Sequence, residues 1–188
     1  MPVFFVRRRL ALGLAAFLPA PPAEASEAAA WEALRQGAIV MFRHAYAPGG
    51  GDPAGMRLGE CATQRNLDAQ GRAQAVRIGE AIRAQGVTVG AVLTSQWCRT
   101  TETAELAFPG QSRPEPAFNS FFGDRPAGPA LTAAARRILL AWAGPGALFV
   151  STHQVNITGL TGIVPASGEG VVLRAEGGEL RVVGRIQP

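Results

Sequence analysis

The chain has 188 residues, 47% of them apolar and 17% charged, which is enough for one domain with a real core and short for two. It carries no lysine, so all 18 cations are arginines and the formal charge is +4. Without residues 1–25 there remain 15 arginines against 13 acidic residues, a net of about +2 with no basic cluster, so the footprint of a nucleic-acid binder is excluded.

Residues 1–25 read as an export signal. Arg7-Arg8-Arg9 precede an apolar run from Leu10 to Leu18, and Ala23-Glu24-Ala25 offers an A-x-A cleavage site before Ser26. The run is about half the length of a membrane span, and Pro19, Pro21 and Pro22 interrupt its end. The expected product is a periplasmic or secreted domain, 26–188, with no stable membrane insertion after cleavage.

Ser26 to Gln36 predicts a short helix with Ala29, Trp31 and Leu34 as packing residues, stopped by Gly37. Gly37-Ala38-Ile39-Val40-Met41-Phe42-Arg43-His44-Ala45 follows, and Gly146-Ala147-Leu148-Phe149-Val150-Ser151-Thr152-His153-Gln154 repeats its plan. Each is Gly-Ala, an apolar run, then polar residues and a histidine. Such runs bounded by glycine fit strands buried on both faces of a parallel sheet. The chain has only two histidines, and both stand where such a strand ends. Ligands bind beyond the carboxyl ends of strands in open α/β sheets, so the two imidazoles are expected to converge on one site.

After His44, Gly49-Gly50-Gly51-Asp52-Pro53 forbids regular structure and predicts a site-building loop. Asp68 caps a helix running to Gln85, with Ala75, Ile78 and Ile82 on its inner face. Val87 to Ser95 is the second strand, and Arg99 opens a helix to Ala107. A short extended piece is expected near Pro116–Phe118, then a polar loop through Gly123-Asp124-Arg125. Leu131, Ala135, Ile138 and Trp142 mark an amphipathic helix stopped by Gly144-Pro145. A short helix over 156–161 and a hairpin across Glu176-Gly177-Gly178 complete the chain. The alternation predicts an α/β three-layer sandwich, a mostly parallel central sheet flanked by helices, with a C-terminal antiparallel hairpin.

Cys61 and Cys98 are the only cysteines. In an exported chain an even pair fits a disulfide; two reduced thiols near the carboxyl edge of the sheet fit the sequence as well. Neither has the spacing of a zinc site, so no metal and no cofactor is expected.

Neutral imidazole is a competent nucleophile near pH 7, and phosphoryl transfer needs one beside cationic donors for the equatorial oxygens. Arg43 and Arg99 stand at strand ends and can fork onto phosphate, while His153, if protonated, adds a donor.

These residues also resemble a known family. Arg43-His44-Ala45 is similar to the Arg-His-Gly signature of the histidine phosphatase superfamily, branch 1, with the phosphoglycerate-mutase-like fold. Leu67-Asp68-Ala69-Gln70-Gly71-Arg72-Ala73-Gln74-Ala75 resembles its L-T/S-x-x-G-x-x-Q-A helix. Thr94 through Ala104 resembles its S-S-x-x-x-R-x-x-x-T-A stretch, and the block around His153 supplies its second histidine. Four ordered blocks carry the resemblance across residues 37–165.

The resemblance implies that His44 forms a phosphohistidine, with Arg43, Arg99 and His153 completing the phosphate pocket. Arg65 and Asn66, in Thr63-Gln64-Arg65-Asn66-Leu67, are further substrate-binding candidates; a solvated loop arginine is the plainer reading of Arg65. Two departures stand out. Ala45 replaces the usual glycine, and Phe118-Asn119-Ser120 puts serine where mutase-like members carry glutamate. Gln154 stands where the acid-phosphatase branch has aspartate. Asp124 is the preferred substitute acid, with Asp52 and Glu102 behind it.

The expected function is therefore an exported, metal-independent phosphatase acting on small phosphomonoesters or phosphorylated envelope sugars. A phosphatase of phosphohistidine on proteins needs less acid assistance, although export argues against it. A phosphate-binding module that lost its acid is the non-enzymatic alternative.

Overall fold

The computed structural model describes Met1 and residues 26–188. The export signal predicted over 1–25 lies, but for Met1, outside the described residues. In chain order the elements are α1 (Glu27–Arg35), β1 (Ile39–Arg43), α2 (Ala69–Ala84), β2 (Val89–Thr94), α3 (Cys98–Ala107), β3 (Ser112–Pro114), α4 (Gly128–Leu140), β4 (Ala147–Thr152), α5 (Gln154–Thr161), β5 (Gly170–Glu176) and β6 (Glu179–Ile186). Short 3-10 turns at Cys61–Thr63, Pro116–Phe118 and Arg125–Ala127 punctuate the loops.

The six strands form one sheet in the order β3-β2-β4-β1-β5-β6. β3, β2, β4 and β1 are mutually parallel; β5 runs antiparallel to β1, and β6 antiparallel to β5. This is the expected three-layer α/β arrangement. Side chains alternate across a strand, and β1 shows the consequence. Val40 and Phe42 join a core with Trp31, Leu34, Ile78, Ile82 and Phe149, under α1, α2 and α3. Ile39 and Met41 join a second core with Leu139, Leu148, Val150 and Ile157, under α4 and α5. A strand that feeds two cores has no polar face, which is why its sequence is an unbroken apolar run. Among the described residues, no helix is long and apolar enough to cross a membrane.

The caps follow the sequence closely. Ser26 Oγ accepts from the Ala29 N–H and Asp68 Oδ1 from the Gly71 N–H, each satisfying a donor at a helix start. Three details differ from expectation. In α1 the buried set is Ala30, Trp31, Ala33 and Leu34, with Ala29 only half-buried. The extended piece is β3, at 112–114, and Pro116–Phe118 is a 3-10 turn whose Ala117 N–H is held by the Glu115 carboxylate; Pro116 has no N–H to give a ladder. α4 ends at Leu140, with Leu139 buried, and the Trp142 indole instead donates to the Gly146 carbonyl beyond the helix.

Gly71 shows why α2 can lie close to the loop after β1. A Cβ there would stand 1.9 Å from the Tyr46 carbonyl oxygen. In an exposed helix Gly→Ala stabilises by up to about 1 kcal/mol. Here Gly71→Ala is expected to destabilise by more than about 2 kcal/mol, since backbone must move; urea unfolding reads the sign directly.

Candidate active site

β1 and β4 pair in parallel with Arg43 opposite Thr152, so the next residue on each strand, His44 and His153, leaves the sheet at the same height. Their ring centroids are 5.6 Å apart at 69°, and both side chains are buried. His44 Nδ1 lies 2.7 Å from the Ala45 carbonyl oxygen. A carbonyl can only accept, so Nδ1 holds the proton and Nε2 keeps its lone pair. Burial, then Arg99, with smaller contributions from Arg65 and Arg43, pushes the His44 pKa down to about 3 although the Ala45 carbonyl opposes this. His44 is a neutral imidazole throughout the physiological range, with its Nε2 lone pair free.

His153 is held neutral for the same reasons: burial first, then His44 and Arg99, carry its pKa well below the ordinary value. The ring is accordingly neutral rather than an imidazolium in this arrangement. Its Nε2 is 2.7 Å from Ser95 Oγ and its Nδ1 3.4 Å from an Arg99 amino nitrogen. The Ser95 hydroxyl, which also accepts from the Trp97 N–H at 3.1 Å, can give or take the proton at Nε2. A guanidinium can only donate, so in this arrangement Nδ1 accepts from Arg99 and Nε2–H donates to Ser95 Oγ; the Ser95 hydroxyl allows the other tautomer once Arg99 turns to another acceptor.

Three arginines surround the rings. Arg43 comes from the end of β1 and donates to the Pro165 carbonyl at 3.1 Å. Arg65 comes from the loop before α2 and donates to the Ala47 and Gly49 carbonyls. Arg99, on the first turn of α3, makes a two-pronged ion pair with Asp52 at 2.7 and 3.1 Å. Arg43 and Arg65 hold their protons less firmly than usual, through burial first and Arg99 second. All three line one cleft of about 910 Å³ with His44, His153 and Asp52, and each buries an Nε–H with no partner in the protein. Three guanidinium groups less one carboxylate leave the cradle at +2, the complement of a phosphate dianion. Guanidinium groups suit this task because their fork matches the oxyanion geometry.

The predicted residues do not all meet there. Asn66 is not among the cleft-lining residues: its amide donates to the Cys61 and Gln64 carbonyls at 2.6 and 3.1 Å and fixes the turn into α2. Glu102 pairs with Arg72 at 2.7 Å, on the surface and away from the cleft. Asp52 lines the cleft with its carboxylate committed to Arg99. Burial raises its pKa, yet the Arg99 guanidinium, the Arg65 N–H and the Trp97 indole together hold it below the ordinary value. Asp124 stands exposed at the rim, ahead of the 3-10 turn at 125–127. Ala45 is fully buried with Ala47, Leu67 and Ala75, so its methyl group fills core space. Sequence reasoning missed the Asp52 clamp on Arg99 and the Ser95 contact to His153. Ser95 was within reach, lying in the Thr94–Ala104 block; nothing in the spacing of Asp52 announces its partner.

Cys61 and Cys98 form a disulfide, and the reduced-thiol alternative falls away. The bond ties the segment carrying Arg65 to the first residue of α3, next to Arg99. The Gln64 side chain accepts from the Cys98 N–H at 2.9 Å in the same junction.

The fold is shared with solved structures at low identity. An open reading frame of Mycobacterium tuberculosis aligns with a TM-score of 0.59 at 14% identity, over 79% of this chain and 96% of that one. The protein histidine phosphatase SixA complexed with tungstate gives 0.57 at 16%, over 80% and 97%. Phosphoglycerate mutase from Thermus thermophilus gives 0.56 at 16%, over 80% and 99%. At such identities the likeness is one of fold. No family model and no curated protein matches the sequence.

Removing the disulfide by Cys61→Ser with Cys98→Ser is expected to cost roughly 2–4 kcal/mol in urea unfolding, the range for closing a loop of 37 residues. The histidines set a pH dependence with a definite sign. Their folded pKa values are depressed, so the unfolded chain takes up protons below 6.5 while the folded one resists down to about 3 for His44. Stability is fully present above pH 6.5 and falls as pH drops through that window, by up to about 1.4 kcal/mol per unit per histidine. A flat stability curve between pH 7 and pH 4 would contradict the neutral pair.

Proposed function

We propose that this protein is an exported, metal-independent phosphatase that hydrolyses small phosphomonoesters through a phosphohistidine on His44. The reading is carried by one observation: a buried neutral imidazole, its Nδ1 proton fixed on a carbonyl, faces a cradle of three arginines with a net charge of +2. The likeness of fold to a protein histidine phosphatase complexed with tungstate, itself a tetrahedral oxyanion, supports it.

In the first step the His44 Nε2 lone pair forms a bond to phosphorus while the ester P–O bond breaks and its electron pair leaves on the alcohol oxygen. Arg43, Arg65 and Arg99 donate to the equatorial oxygens, where charge accumulates, and His153 joins them from Nδ1–H once Arg99 has turned to the phosphate and the Ser95 hydroxyl donates to Nε2. One such donor is worth on the order of 3 kcal/mol at the transition state. In the second step a water oxygen attacks phosphorus, the N–P electron pair returns to Nε2 and the water proton leaves with inorganic phosphate or solvent. The Asp52 carboxylate keeps Arg99 in place through both steps without joining in proton transfer.

The leaving oxygen needs a proton when the alcohol is a weak acid. With Asp52 and Glu102 committed to arginines, Asp124 at the rim is the carboxylate left for that role. An effective acid for a poor leaving group is usually a carboxyl held in an apolar pocket, and Asp124 is exposed. The chemistry therefore leans on the leaving group. This also keeps open the reading of phosphohistidine as substrate, since imidazole departs readily. Export is supported by the pattern of residues 1–25 and by the Cys61–Cys98 bond, which persists in oxidising compartments.

With p-nitrophenyl phosphate, His44→Ala is expected to lose roughly 10³-fold or more in kcat/KM, and an acid-labile, alkali-stable phosphoenzyme to form in the native protein alone. Equal turnover by the two proteins overturns the covalent mechanism. Tight phosphate binding with no turnover of any ester identifies a binding module instead. Asp124→Asn is expected to slow ethyl phosphate more than p-nitrophenyl phosphate.

A further inference from the structure

We infer that the cleft selects phosphate esters of flat aromatic alcohols, with Phe122 as the platform on which the departing ring stacks. This rests on the phosphatase reading and narrows its substrate class to aryl phosphates, ahead of sugar phosphates.

The segment before Phe122 is pinned from several sides. Thr152 Oγ1 donates to the Phe118 carbonyl at 2.8 Å, Asn156 Nδ2 to the Asn119 carbonyl at 2.9 Å, and the Gln96 N–H to Asn119 Oδ1 at 2.9 Å. Phe121 is buried, and Gly128 passes so close to its ring that a Cβ would stand 3.1 Å away. On this fixed backbone the next side chain, Phe122, is 56% exposed and lines the cleft. The Arg125 guanidinium covers one face of its ring, 5.0 Å from the centroid, an attraction worth keeping at a surface site. An exposed apolar residue alone says little. Phe122, however, shares the cleft with Trp97, Met56 and Val155, and the Trp97 ring packs edge-on against His153 at 5.3 Å. The floor of the cleft is cationic and much of its wall is apolar. A phosphate on an aromatic group satisfies both at once, whereas the hydroxyls of a sugar would find polar partners only at Ser120, Asp124 and Gln154 and leave the Phe122, Met56 and Val155 side of the cleft unmatched.

The electronics agree with the shape. A phenol ionises near pH 10, about six units below water, so phenolate leaves with little help from an acid. The bond changes are those of the proposed reaction: Nε2–P forms, P–O(aryl) breaks with its pair on the phenolate oxygen, and solvent supplies the proton. The cleft offers no buried protonated carboxyl to an alkoxide, since Asp52 is ionised and Ser120 stands at the position of the missing acid.

The experiment compares the native protein with Phe122→Ala and Phe122→Trp, using 1-naphthyl phosphate, phenyl phosphate, ethyl phosphate and glucose 6-phosphate. Inorganic phosphate serves as competitor. Phe122→Ala is expected to raise KM for 1-naphthyl phosphate roughly tenfold, to shift the Ki of inorganic phosphate by much less, and Phe122→Trp to restore the aryl preference. Equal factors for aryl and ethyl phosphate in Phe122→Ala, or glucose 6-phosphate turned over by the native protein as well as phenyl phosphate, would overturn the inference. Calorimetry with 1-naphthyl phosphate against inorganic phosphate reads the same contrast as binding. A protein that hydrolyses nothing but loses naphthyl affinity in Phe122→Ala would thus refute the phosphatase and keep the platform.

Discussion

The site depends first on the pairing of β1 with β4. Ile39 stands opposite Leu148 and Arg43 opposite Thr152, and because both strands are followed at once by histidine, the two imidazoles come out as neighbours. A slip of one residue would turn one ring to the other side of the sheet. Register is fixed by the two cores, since each strand places alternate side chains above and below. It is fixed also at the strand starts. Gly37 and Gly146 both take a positive φ, 88° and 78°, and a Cβ on Gly37 would lie 3.3 Å from the Gly146 carbonyl oxygen. Backbones that approach so closely have little freedom to slide.

The second dependence is electrostatic. Burying two imidazoles beside three arginines would be unfavourable if the rings were charged, so they stay neutral, and this neutrality makes His44 nucleophilic. The arginines repel one another, and Asp52 relieves part of that repulsion while leaving the cradle positive. The same carboxylate reaches the Trp97 indole and the Arg65 backbone N–H, so one side chain aligns three walls of the cleft. The disulfide holds those walls from outside by joining the Arg65 segment to α3. Gln74 does comparable work on the far side. Its amide accepts from the Tyr46 N–H and donates to the Ser167 carbonyl, tying α2 to the loop after β1 and to the loop before β5.

On the proposed phosphatase reading, function turns on which group meets the leaving oxygen. Serine at 120 and glutamine at 154 line the cleft where the family that the sequence resembles carries an acid, while three arginines line its cationic end. On the proposed reading, such a site would suit esters whose alcohol is already a good leaving group, and the aromatic residues of the cleft would favour them by shape.

Much of this was legible before any coordinates. Short apolar runs, the capping residues Ser26 and Asp68, and two histidines in matching contexts determined the strands, the helices and the convergence at the carboxyl edge, because these signals act over a few residues and obey the periods of strand and helix. The side chains that complete the site obey no such period. Asp52 reaches Arg99 across 47 residues and Ser95 reaches His153 across 58; Asn66, adjacent to Arg65 in sequence, turns into its own loop. Which loop carboxylate is drawn onto a buried cation, and which is left in solvent, is decided by distance and burial after the sheet has closed. Only the tertiary structure contains those two quantities.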